Sequence, residues 1–154
     1  RSADELFQGL LVKEGVPRAA RLRTLAWLGG RYLESRQYDK ARPLLVELAA
    51  GERTAANLTM AGEAELGAGD FNGAVKSFSD AFAMQGADIC RVVAGRAKTY
   101  MRLKQTDAYE RDTAILASRC AAWKGARSRP PHRPRWPRRS GGRGRACGAP
   151  PWGG

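Results

Sequence analysis

Fifteen carboxylates, three cysteines and one histidine are the groups in this 154-residue chain best suited to chemistry, and their spacing argues against catalysis. General acid–base work needs two groups converging on one substrate atom. Glu63 and Glu65 fall on different faces of any helix, and Asp107, Glu110 and Asp112 read as a charged helix surface. Cys90, Cys120 and Cys147 form no C-x-x-C pair, and His132 stands far from all three. A nucleophilic thiol would want a base beside it. Neither a zinc site nor a disulfide framework is indicated, so a reducing, cytoplasmic setting is the default. Cys90, close to Ile89 and Val92, reads as core or interface. Gly67-Ala68-Gly69 is too short and wrongly flanked to cradle phosphate. The residues therefore predict no enzyme, no metal and no cofactor.

Charge divides the chain in two. Residues 1–118 carry 17 Lys or Arg against all 15 acids, whereas residues 119–154 carry 10 basic residues and no acid. The excess of positive charge, and any affinity for polyanions that follows from it, belongs almost wholly to the last segment. From Lys124 onward there is no Leu, Ile, Val, Met or Phe. Such a segment cannot bury enough apolar surface to offset its ordering entropy, so 124–154 is expected to be a disordered Arg/Pro/Gly-rich tail. Trp136 among Arg133, Arg135, Arg138 and Arg139, with Gly141 to Arg145 beyond, suits an RNA-binding segment. The same abrupt change of composition suits a frameshifted or read-through product.

The elements that would position any site come from a repeat. Leu25, Leu28, Gly29, Tyr38, Ala41, Leu45 and Leu48 recur 33 residues later as Leu58, Ala61, Gly62, Phe71, Ala74, Phe78 and Ala81. A period of this length predicts stacked helical hairpins, each burying its apolar face against the next. The periodicity gives a leading helix from Asp4 to Lys13 within residues 1–16, which could be the end of an upstream repeat. Helices from Pro17 to about Ser35, Asp39 to Ala50, Thr54 to Gly67 and Asn72 to Met84 follow, with Pro43 placed near a first turn. A degenerate, capping pair, about Ala87–Leu103 and Thr106–Trp123, completes a domain spanning 17–123. Gly29, Ala41, Gly62 and Ala74 let helix backbones approach closely. No apolar run is long enough to cross a bilayer.

The stretch Leu25-x-x-Leu28-Gly29-x-x-Tyr32, followed by Tyr38-x-x-Ala41-x-x-x-Leu45, resembles the tetratricopeptide repeat. Trp27 lies two places from the position of the family's tryptophan, Glu65 takes the tyrosine place in the second unit, and the closing proline is missing from both. The resemblance covers roughly residues 22–118. It implies an all-α, right-handed solenoid of antiparallel hairpins whose concave wall, made by the first helix of each pair, binds a peptide or helix of a partner protein. Carried over residue by residue, that wall comprises Arg23, Ala26, Gly30, Leu33 and Glu34, then Ala56, Thr59, Glu63 and Leu66. Arg91, Lys98 and Arg102 form its third part, and Trp27 flanks it as an anchor or as a residue half-buried between units. Size and spacing also resemble the small cytoplasmic chaperones of bacterial type III secretion. A protein-binding scaffold or chaperone is the first expectation, RNA binding through the tail the alternative, and self-association through exposed repeat ends a third.

Overall fold

The computed structural model describes residues 2–120; the expected tail, with His132, Trp136 and Cys147, lies outside them. The described residues form seven α-helices: α1 (Ala3–Val12), α2 (Arg18–Glu34), α3 (Tyr38–Gly51), α4 (Ala55–Ala68), α5 (Phe71–Phe82), α6 (Ile89–Arg102) and α7 (Thr106–Arg119). Side-chain caps start four of them. Ser2 and Glu5 exchange hydrogen bonds in a capping box, and Thr54, Asp70 and Asp88 each accept from the backbone N–H three residues on. Pro43 lies in the second turn of α3, further in than the sequence placed it, and deprives Asp39 of its helical hydrogen bond. Helix α3 runs one residue past the expected Ala50, to Gly51, and α7 stops at Arg119, short of Trp123.

All three hairpins turn in the same way. Arg36, Gly69 and Lys104 take left-handed backbone angles at φ 59, 88 and 58°. The N–H of the following residue reaches back to Tyr32 O (2.8 Å), Glu65 O (2.9 Å) and Tyr100 O (3.0 Å). This is the Schellman closure, which satisfies carbonyls that a helix end would otherwise leave bare. Relative to the second hairpin, the third makes its turn one residue later and resumes at Ala108 one residue sooner. That compensated shift explains why the sequence period fades there while the packing continues.

Packing follows the repeat. Leu25, Leu28, Tyr32, Ala41, Leu45, Leu48, Leu58, Ala61, Ala74, Phe78 and Ala81 are all buried in one continuous core that reaches Val92. Within it, glycines face large side chains: a Cβ on Gly29 would lie 2.6 Å from Leu45 Cδ2, and one on Gly62 would lie 2.9 Å from Phe78 Cε1. Gly95 of α6 meets the same Phe78 ring, where an added Cβ would collide with Cζ. The aromatic ring of α5 thus packs on two glycines, which lets α4, α5 and α6 close around it. Among the described helices, α4 touches both α2 and α6, whereas the second helices α3, α5 and α7 do not touch one another. The first helices therefore crowd together into an inner wall, with the second helices splayed behind.

Phe78→Ala should remove about 3–5 kcal/mol of stability, the usual cost of truncating a fully enclosed aromatic residue. Chemical denaturation followed by far-UV circular dichroism measures it.

Candidate functional site

The inner wall is built from the faces of α2, α4 and α6 that the core does not use. Arg23, Glu34, Ala56, Arg91, Lys98 and Arg102 are exposed along it, and Ala26, Gly30, Leu33, Glu63 and Leu66 are half-buried. Thr59 departs from expectation: it is only 3% exposed, and its hydroxyl donates to the Ala55 carbonyl at 2.7 Å. The reason is positional, since Thr59 lies beside Leu58 and one turn from Ala55 on the buried side of α4. Trp27 is exposed, at 36%. Its ring stacks on Phe7 of α1 at 4.1 Å, and the Arg31 guanidinium lies 5.0 Å from its centre.

Several charges on this wall already have partners. Arg91 donates two hydrogen bonds to Glu63, at 2.6 and 2.7 Å, tying α6 to α4 across the wall. The Arg102 guanidinium lies 5.4 Å from the centre of the Phe71 ring. Arg23 and Lys98 have no carboxylate partner among the described residues. Glu34 likewise has no cationic partner among the described residues.

Three ionisable groups lie inside rather than on the wall. Asp112, expected on a charged surface, is 2% exposed and takes a two-pronged hydrogen bond from Arg96, at 2.8 and 2.9 Å. Aligned on the repeat, Arg96 stands where Gly29 and Gly62 stand, and Asp112 where Leu45 and Phe78 stand. The glycine-against-bulk contact of the first two hairpins has become an ion pair in the third, with Arg96 also lying over Phe82 at 4.9 Å. Glu65, in the tyrosine place, is buried and accepts a hydrogen bond from Ser77. Burial raises its pKa, opposed by the Ser77 hydrogen bond and reinforced by nearby Asp70.

Cys90 and Cys120 are joined as a disulfide, with Cα atoms 5.7 Å apart, which corrects the expectation of no disulfide framework. Spacing along the chain concealed the pair, because antiparallel α6 and α7 bring the start of one helix to the end of the other. No helix among the described residues is long and apolar enough to cross a membrane.

Asp112→Ala should cost about 3–5 kcal/mol, because it strands the Arg96 charge in the interior; Arg96→Met with Asp112→Leu should recover most of that loss. Thermal melts of the three proteins compare them. Glu65 holds its proton more tightly folded than unfolded, so its contribution is full below the ordinary Glu pKa and falls as pH rises through the folded value. Glu65→Gln should therefore stabilise the fold at neutral pH, with the gain vanishing towards about pH 3.5, below the free Glu value. Denaturant midpoints at both pH values test this.

No protein-family model matches the sequence, and no curated protein matches it. Among solved structures, MamA MSR-1 C2, from a protein containing tetratricopeptide repeats, aligns with a TM-score of 0.61 at 20% sequence identity. The alignment covers 75% of this chain and 66% of that one, so this chain spans just under two thirds of the neighbour's length. The seven helices of the described residues, their three identical hairpin closures and this neighbour show a tetratricopeptide-like, all-α fold.

Proposed function

We propose that this chain is a non-catalytic interaction scaffold whose inner wall holds a peptide or helix of a partner protein, as an assembly factor or chaperone does. The observation that carries the reading is the division of labour on α2, α4 and α6. One face of each is turned to the core, and along the other Arg23, Glu34, Ala56 and Lys98 are exposed and Leu33 and Leu66 half-buried. Alternating small, apolar and charged groups suit a ligand that contributes both burial and charge pairing. A cytoplasmic, bacterial setting fits the chaperone version of this reading.

A second reading rests on the sequence of the last segment, where ten cations and no acid favour RNA through phosphate contacts and stacking on Trp136.

Affinity capture with the full chain separates the two. Arg23→Glu with Lys98→Glu should lower recovery of a protein partner about tenfold or more while helicity stays unchanged, since opposite-sign substitution at both open cations repels a complementary ligand. Nuclease treatment should leave that recovery intact. Capture that survives the wall substitutions but is lost with nuclease, or on replacing Arg133, Arg135, Arg138 and Arg139 by Gln, would favour RNA.

A further inference from the structure

The Cys90–Cys120 bond closes the open end of the α6–α7 hairpin; the opposite end is the turn at Lys104. Among the described helices, α7 packs on α6 alone. Its contacts belong to a small cluster, Val93, Ala97, Leu116 and Cys120, which meets the main core through Phe82. The middle of α7 is held by Asp112 on Arg96. Beyond that point the outward residues Ala114, Ala117, Ser118 and Arg119 are exposed, leaving Ile115, Leu116 and the sulfur bridge to hold the last turns.

We propose that the Cys90–Cys120 pair is a redox-operated latch on α7. Oxidised, it fixes the last turns of α7 on α6; reduced, those turns open and uncover the Val93 and Ala97 side of α6. Cys90 is half-buried and Cys120 buried, so an external dithiol attacks Cys90 Sγ, the more accessible sulfur. The S–S bond breaks, Cys120 leaves as a thiolate and takes a proton, and a mixed disulfide forms at Cys90. The second thiol of the reductant then displaces Cys90, which also takes a proton. Two electrons pass to the pair, and the reductant leaves as a cyclic disulfide. A disulfide-bearing oxidant restores the latch by the reverse steps. Helix α6 stays docked throughout, because Val92 belongs to the main core and Gly95 remains against Phe78.

Hydrogen exchange on the full chain, with and without dithiothreitol, tests the latch, with peptide mapping under non-reducing conditions as its companion. Mapping should find Cys90 joined to Cys120. Reduction should speed amide exchange over residues 113–120 by about tenfold or more and leave residues 58–82 unchanged, as a local opening does. Cys90→Ser should exchange like the reduced chain under both conditions, and Cys147→Ser should keep the response. An absent Cys90–Cys120 link, exchange over 113–120 indifferent to reduction, or a change spread across all helices would each overturn the proposal. Reduction of the unaltered chain keeps the test decisive if Cys90→Ser fails to fold.

Discussion

The Phe78 ring against Gly62 and Gly95 is the contact on which the arrangement turns. It touches the first helix of its own hairpin and the first helix of the next, each at a residue with no side chain. Helix backbones can close on an aromatic plate only where nothing else occupies the space. That closeness brings α4 beside α6, sets Glu63 within reach of Arg91, and so makes a continuous inner wall from helices distant in sequence. The wall is thus a by-product of core packing, and the residues that shape it are not those exposed along it.

The same positions show how a repeat can change its chemistry without changing its shape. Gly29 against Leu45 and Gly62 against Phe78 are apolar contacts, whereas Arg96 with Asp112 is ionic. The guanidinium fills with a planar, hydrogen-bonded group the space that glycine leaves for a bulky partner. Such a pair contributes little net stability compared with well-packed apolar residues, because both ions lose their hydration. It does demand one geometry, since each partner left alone in the interior is costly. The third hairpin is therefore specified by directional bonds where the second is specified by fit.

Much of this was legible in the sequence, for an identifiable reason. Leu25, Leu45, Leu58 and Phe78 recur because each repeat must bury the same stripe, so helix order, hairpin pairing and the core face followed from spacing alone. Gly69-Asp70 announced its turn through residue type, whereas Arg36 and Lys104 close identical turns without glycine and gave no such signal. What stayed hidden depended on contacts between segments. Asp112 looks like any helical surface acid until α6 brings Arg96 against it. Cys90 and Cys120 have no recognisable spacing until two helices run antiparallel. By its place in the repeat Thr59 belongs to the wall, yet it lies on the buried side of α4 with Ala55 and Leu58. A sign was available for Arg96, which interrupts the glycine positions of the repeat, but reading it required the correct one-residue shift in register.

Helix α1 has no fully buried residue; it lies on α2 through Phe7, Leu11 and the bond from Gln8 to the Tyr32 hydroxyl. At the other end, α6 is wedged by Phe78 and bonded to α4. The two ends of the wall are therefore built differently: α2 is covered by a helix with no fully buried residue of its own, whereas α6 is wedged by Phe78 and tied to α4 through Arg91 on Glu63. Side chains already paired by the fold have little freedom left to lose, whereas unpaired ones keep theirs. The near-symmetry of the repeats thus conceals two unlike ends.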